Sequence, residues 1–473
     1  MTRLLISAAH KSSGKTTVST GLCAALRERG YRVRPFKKGP DYIDPLWLGH
    51  AAGQPCVNLD FHTQQHAEIL ETVARYEQGA DIALIEGNKG LFDGVDLEGS
   101  NSNAALAKLL ETPVVLVVDC RGMTRGIAPL LLGYQAFDPE LRIAGVILNR
   151  VGGARHESKL RAVIERYTDV AVLGALRDDP SLQIVERHLG LIPSNEHDAA
   201  DRQIARLAEA VAEQVDLDRL VEAGAVASPP PAGATVTRMA HSGPRLRIAV
   251  ARDAAFAFYY QTDLEALESA GAELRFFDTL KDSRLPEADA LFIGGGFPES
   301  YLEALEANAA MREAIREAIE GGMPAYAECG GLMYLSRSIG WKERRHRMVG
   351  VIPGDITMHP RPQGRGYVFL EATAKHPWPG AVSDQETEAP ALPAHEFHYS
   401  ALEPMDPEPV YAYRVLRGHG VDGHHDGIVY RNLLASYSHL RHTRSNPWVT
   451  RFIAFVRAHI NARAAGPGHS TAP

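Results

Sequence analysis

Cysteine is scarce in this chain. Four residues in 473, Cys23, Cys56, Cys120 and Cys329, stand far apart and form no CxxC pair. That spacing suggests neither a disulfide framework nor a zinc cluster. Long apolar runs are lacking too: none reaches the roughly 18–20 residues of a spanning helix. The opening MTRLLISAAHKSSGKT turns polar too soon for a secretory signal, so a soluble, cytoplasmic chain with no membrane partner is expected. Nor is there a block of Lys and Arg. With 50 basic against 58 acidic residues and a formal charge of −8, the chain lacks the footprint of a nucleic-acid-binding surface. What is present, 45% hydrophobic and 23% charged residues, is ordinary for a globular protein and excludes collagenous or disordered classes. At roughly 100–200 residues per domain, the length predicts two or three domains.

Apolar runs at Leu4–Ala8, Val33–Phe36, Ile82–Ile85, Val114–Val118, Ile143–Leu148 and Val170–Leu173 each lead through turn residues into a helical pattern. Strands alternating with helices predict a parallel sheet covered on both faces. The composition then breaks: AGAVASPPPAGATVTRMAHSG carries three consecutive prolines, which supply neither ladder nor helix donors. Alternation restarts with Leu246–Val250, a helix over about 262–270, Leu274–Phe277, Ala290–Ile293 and Pro324–Ala327. The expected division is a domain over 1–222, a Pro-rich linker over 223–244, a second α/β domain over 245–460 and a flexible tail over 461–473.

The first run opens on Ala9-His10-Lys11-Ser12-Ser13-Gly14-Lys15-Thr16-Thr17. In a phosphate loop, backbone amides wrap the phosphates, the lysine reaches the outer ones, and the following hydroxyl binds magnesium at the helix N-terminus. Gly14, Lys15 and Thr16 fill the second half of that motif, but Ala9 replaces its first glycine. A bare Gly-Lys-Thr can also be an incidental turn; its place between a strand and a helix favours nucleotide binding. Magnesium needs a carboxylate at a strand end, and both Glu86 and Asp119 qualify. Glu86 opens the glycine-rich EGNKGLFDG, which could equally be an acidic surface turn. KKGPDYIDP after the second run could bind a polyanion and a metal or simply be solvated.

Cys329 sits in PAYAECGGLMY, where an apolar run meets a helix start. Such an elbow exposes a nucleophile on a strained turn, and a helix N-terminus favours the thiolate. The other three cysteines read as packing. IGGGFPES offers bare amides for an oxyanion hole, or only a flexible turn. His395, His398, His419, His424, His425, His439 and His442 all compete as the base. His395 and His398 fail the helical zinc signature, which spaces its histidines at i and i+4. His424-His425-Asp426 reads as a polar loop.

Taken together, SSGKTT, KKGPDYIDP, EGNKGLFDG, GVILNRV, ERHLGLIPS, GGGFPES, YAECGGLMYL, HEFHYS and ASYSHL resemble, in that order, the cobyrinic acid a,c-diamide synthases. These stand with the cobyric acid synthases among class I glutamine amidotransferases. The resemblance covers about 2–460 and implies an α/β protein: a dethiobiotin synthetase-like, P-loop-type parallel sheet followed by a flavodoxin-like triad glutaminase. It also implies ATP- and glutamine-dependent amidation of two tetrapyrrole acetates through an acyl phosphate. Residue by residue, it implies Ser13, Gly14, Lys15, Thr16, Thr17 and Asn149 for ATP, with Thr16, Asp41 and Glu86 on Mg2+. Asp41, Tyr42, Asp44 and Asp93 fall to substrate and activation, Cys329 to the nucleophile and His439 to its base. Gly295, Gly296 and Gly330 fall to glutamine and its oxyanion. Partners are L-glutamine, ATP and a tetrapyrrole carboxylate; no flavin, haem cofactor or zinc is implied, and homodimerisation stays open.

Two departures stand out. Triad glutaminases commonly carry a glutamate two residues after the histidine, where this chain has Arg441, leaving the third member unassigned and a dyad open. Relatives acting on the corrin precursor tend to EGVMGLYDG, whereas here Asn88-Lys89 intervene. A siroheme amidase or a nickel-sirohydrochlorin diamide synthase would share the mechanism. A regulatory ATPase with an inactive glutaminase module is the reading from another class.

Overall fold

The structure is a computed structural model that describes residues 1–184, 186, 187, 190, 191, 193, 194, 200–225, 245–382 and 391–465. The Pro-Pro-Pro stretch, His188, Leu189 and Ile192 of ERHLGLIPS and the last eight residues lie outside the described residues. The chain divides into two compact units, Met1–Val236 and Thr237–Pro473.

In the first unit, β1 (Thr2–Ala8), β2 (Val33–Lys38), β3 (Val57–Leu59), β4 (Ile82–Glu86), β5 (Val114–Asp119), β6 (Ile143–Val151) and β7 (Val172–Arg177) form an all-parallel sheet in the order β3-β2-β4-β1-β5-β6-β7. Helices cover both faces, so the strands are apolar on both sides. Along β1, Leu4, Ile6 and Ala8 join one core layer and Leu5 the other. α1 (Lys15–Glu28) and α2 (Ile43–Ala52) pack in the first of these layers. The strand expected at Val170–Leu173 begins later, at Val172, because Val170 N donates to the Thr168 hydroxyl (3.3 Å) in a turn that closes the Ala154–Tyr167 helix.

The second unit carries a nine-stranded mixed sheet. Five strands are parallel: Ala272–Phe277, Leu246–Ala251, Ala290–Ile293, Ala325–Glu328 and Leu433–Ser436, in that spatial order. Four antiparallel strands extend it: His425–Tyr430, Val410–Arg417, Gly364–Ala372 and Leu392–His398. His425 and Asp426 are therefore in a strand rather than the expected polar loop; Asp426 is buried and accepts backbone N–H bonds from Gly427, Tyr437 and Ser438 at 2.8–2.9 Å. His395–His398 is extended, so Glu396 and His398 face the core while His395 and Phe397 face the other way.

Candidate active sites

The loop from β1 to α1 turns on Ser12 and Gly14, with φ of 64° and 87°. A Cβ on Gly14 would stand 2.2 Å from Asn149 Nδ2, so only bare backbone closes the loop there. Ala9 needs no such freedom: its φ is not positive, and its carbonyl accepts the Tyr134 hydroxyl at 2.7 Å. That accounts for an alanine where phosphate loops usually begin with glycine. The end of β6 braces the loop, Asn149 Nδ2 donating to Ser13 O (2.8 Å) and Arg150 Nη1 to Ser12 O (3.0 Å). Lys15 Nζ donates to Lys89 O at 2.6 Å. Burial, reinforced by the nearby Lys37 ammonium, lowers its pKa. Thr16 and Thr17 follow in the first turn, both half-buried.

Beside this cradle three carboxylates gather around one ammonium. The β2–β4 register sets Lys37 directly opposite Glu86. Lys37 Nζ lies 2.6 Å from Glu86 Oε1, 2.5 Å from Asp44 Oδ2 and 3.9 Å from Asp41 Oδ2. Thr16 Oγ1 donates to the same Glu86 oxygen at 3.1 Å. Asp41 Oδ1 accepts the N–H groups of Ile43 and Asp44 and so starts α2, with Tyr42 buried beside it. Burial pushes Glu86 up to about 7 against the pull of Lys37; burial opposes Asp44 as well, but the Lys37 ammonium holds that carboxyl below the usual range. Asp93 stands apart in the next turn, its Oδ2 accepting Gly90 N at 2.9 Å, and acts on Lys15 through its charge. The alternative acid, Asp119, is engaged by Arg121 (2.8 Å) and Arg150 (2.7 Å). Of the two candidates, Glu86 is the one bonded to Thr16.

In the second unit the strand Ala325–Glu328 breaks into the Gly330–Leu335 helix at Cys329, whose φ of 48° and ψ of −103° are strained for a residue with a side chain. The turn is held by Cys329 N donating to Ser436 O at 2.7 Å. His439 follows in the loop after Leu433–Ser436, tied to His395 by two backbone bonds of 2.7 and 3.2 Å. Burial would make its imidazole less basic, but the Cys329 thiol and Glu328 carboxylate beside it raise it to about 10. Glu328 Oε2 stands 3.4 Å from His439 Nδ1. The glycine loop packs against the pair: a Cβ on Gly295 would lie 2.5 Å from His439 Cε1, and one on Gly330 would lie 3.0 Å from Gly296 N. His398 stacks on Tyr437 at a centroid distance of 3.9 Å, and its Nδ1 donates to Ser400 O at 2.8 Å. Burial raises the thiols of Cys23, Cys56 and Cys120, the last to about 12, so these three are inert packing residues.

A strained thiol against an imidazole in one unit and a phosphate cradle with clustered acids in the other are the parts of an amidotransferase. Residues 5–192 match the CobQ/CobB/MinD/ParA nucleotide binding domain, and residues 247–447 match the CobB/CobQ-like glutamine amidotransferase domain. A cobyrinate a,c-diamide synthase of Magnetococcus marinus is 48% identical, covering 96% of this chain and 97% of the relative. Synthases of the same name from Methanosarcina acetivorans and Listeria monocytogenes are 41% and 40% identical, covering 93% and 96% of this chain and 92% and 100% of theirs. The chain belongs to the cobyrinate a,c-diamide synthase family.

Three residues of this family member escaped the sequence reading. Lys37 was legible only as part of a basic pair; its role as the hub follows from strand register. Lys38 is also buried, donates to Asn88 Oδ1 at 3.0 Å and is brought down to about 8 by burial. Asn88 and Lys89, the polar departure in EGNKGLFDG, thus touch the two lysines that frame the cradle. Glu328 was masked by its neighbour Cys329, although an ionisable residue ending an otherwise apolar strand was a usable signal.

Proposed function

We propose that this chain is a glutamine-dependent C–N ligase that amidates the a- and c-acetate carboxylates of cobyrinate in the cytoplasm, with ATP as activator. Full-length likeness to synthases of that name carries this reading, and the two sites supply the two half-reactions.

In the first, a substrate carboxylate oxygen attacks the γ-phosphorus of ATP, the bond to the β-bridging oxygen breaks, and ADP leaves an acyl phosphate. A carboxylate is a poor electrophile, so this activation must precede amide formation. Lys15 neutralises charge on the transferring phosphoryl group, the amides of Ser13, Gly14 and Thr16 cradle the phosphates, and the family likeness gives Asn149 to the adenine. Magnesium fits the residues present: Thr16, Asp41 and Glu86 are hard oxygen donors, and Glu86 Oε2 is buried with no hydrogen-bond partner among the described residues. Bound there, the ion would offset charge on the β and γ oxygens. Lys37 holds Asp44 ionised and offsets part of the burial that raises Glu86, and the family likeness gives Tyr42 and Asp93 to the acceptor substrate.

In the second half-reaction, the Cys329 thiolate attacks the glutamine carboxamide carbon. The amides of Gly295, Gly296 and Gly330 serve the oxyanion. His439 gives its proton to the departing ammonia, and water, deprotonated by the same imidazole, hydrolyses the thioester to glutamate. Ammonia then attacks the acyl phosphate carbon and expels inorganic phosphate.

The test is product mass. Incubation with glutamine, ATP and magnesium and, in parallel, cobyrinate, siroheme or nickel-sirohydrochlorin should give with cobyrinate two successive products, each about one mass unit lighter as OH becomes NH2. Conversion of an iron or nickel macrocycle instead would reassign the substrate, and turnover of none would remove the tetrapyrrole reading. Cys329→Ala should abolish glutamine-supported but keep ammonia-supported synthesis; equal loss of both would refute the division of labour.

A further inference from the structure

We propose that Glu328, the residue immediately before the nucleophile, is the positioning acid of the thiol site, holding His439 so that its Nε2 serves Cys329. The inference rests on the roles given above to Cys329 and His439. The expected place for such an acid, two residues after the histidine, holds Arg441. Its guanidinium lies 4.9 Å over the Tyr260 ring and pulls on the charge of Asp263. Two other buried acids of this unit, Asp263 and Asp426, are committed elsewhere. Asp263 accepts Trp448 Nε1 at 2.8 Å and His442 N at 3.0 Å, and Asp426 accepts three backbone N–H groups.

Glu328 comes from the opposite side of the imidazole, on the strand that ends at the thiol. Its Oε2 meets Nδ1 at 3.4 Å, and its Oε1 accepts both Leu440 N at 2.9 Å and the Tyr326 hydroxyl. The carboxylate is thus held at both ends, and its side chain is 5% exposed. A buried carboxylate fixed in this way and aimed at one imidazole nitrogen selects the tautomer with the proton on Nδ1 and steadies the imidazolium once formed. Strand register supplies the approach: Glu328 pairs with Ser436, three residues before His439. One strand end therefore provides both nucleophile and acid, so no acid is needed after the histidine.

The decisive variant is Glu328→Gln in the full chain. Its amide oxygen can still accept from Leu440 N and the Tyr326 hydroxyl, but an NH2 group replaces the oxygen facing Nδ1. Glutamine-supported kcat should fall on the order of 10²- to 10⁴-fold with KM for glutamine little changed. Ammonia-supported synthesis should stay within about twofold. The alkaline limb of the glutaminase kcat/KM profile should move to lower pH, because the imidazolium loses an adjacent negative charge. The groups facing His439 are Cys329 and Glu328 at the elbow and His395, whose ring centroid is 6.2 Å away. Tyr326, Tyr259, Tyr413 and Asp263 also feel the Glu328 charge. Glu328→Asp, which keeps the charge but withdraws it by one methylene, should recover part of the rate and of the alkaline limb. Two results overturn the proposal: a glutamine-supported kcat within about threefold of the parent, or equal loss of glutamine- and ammonia-supported activity with an unmoved pH profile. If Glu328→Gln does not fold, the Asp variant alone decides, an unchanged alkaline limb counting against the proposal.

Discussion

Replacing Lys37 by methionine removes the ammonium that three carboxylates share, and its consequence can be worked out from the distances. Glu86 is fully buried and Asp44 is 15% exposed, at 2.6 and 2.5 Å from Nζ; Asp41, at 3.9 Å and 34% exposed, contributes less. Stripping one partner from a buried ion pair leaves an uncompensated charge and costs about 3–5 kcal/mol. The penalty should depend on pH, and its sign follows from the native pKa directions. Lys37 is raised well above its ordinary value of 10.5, so its contribution is complete below that value and lost only at still higher pH. Asp44 is lowered, so its contribution is present above 3.8 and lost in acid. Glu86 is raised from 4.5 to about 7, so stability from it is complete below 4.5 and lost as pH rises toward 7. Without Lys37 the Asp44 contribution disappears and Glu86 rises further. The variant should therefore lose more at pH 8 than at pH 5.5, where protonation relieves the crowding. Hydrogen exchange of peptides spanning β4 and α2, followed at both pH values without nucleotide or divalent cation, reads the local free energy. A penalty below about 1 kcal/mol, or one equal at the two pH values, would refute the account of Lys37 as the hub.

Two further substitutions probe the cradle and the thiol site separately. Gly14→Ala should weaken ATP binding at least about tenfold by calorimetry and leave glutaminase activity intact, since its Cβ would fall 2.2 Å from Asn149 Nδ2 at a φ of 87°. Unchanged affinity would mean the loop does not need this shape. Gly295→Ala should instead lower glutaminase kcat at least about tenfold while ammonia-supported synthesis persists, because the new methyl would press within 2.5 Å of His439 Cε1. Full activity would mean the imidazole is free to shift.

The parts of both sites that were legible in the sequence are contiguous in it. The phosphate loop and the elbow each place their chemistry within a few residues of a strand end, so local pattern suffices. The first sheet was legible for a related reason: strands buried on both faces are short apolar runs, as Leu4–Ala8 and Val114–Val118 are. The antiparallel half of the second sheet was not. Val410–Arg417 reads VYAYRVLR, with Ala412 and Tyr413 buried and both ends exposed, a pattern without the apolar run that marks a central strand.

What stayed hidden in the sites depends on register rather than on proximity in the chain. Lys37 and Glu86 are 49 residues apart and meet because β2 and β4 align them as partners. Glu328 and His439 are 111 residues apart and meet because Glu328 aligns with Ser436. In both cases a charged residue ends a buried strand, where a parallel sheet presents side chains to the crevice at its carboxyl edge. A charge closing an apolar run is costly to bury unless something meets it. Lys37-Lys38 after Val33–Phe36, Glu86 after Ile82–Ile85 and Glu328 after Ala325–Ala327 all fit that description. The sequence thus marks which residues must find partners, and only the strand order decides which partner each finds.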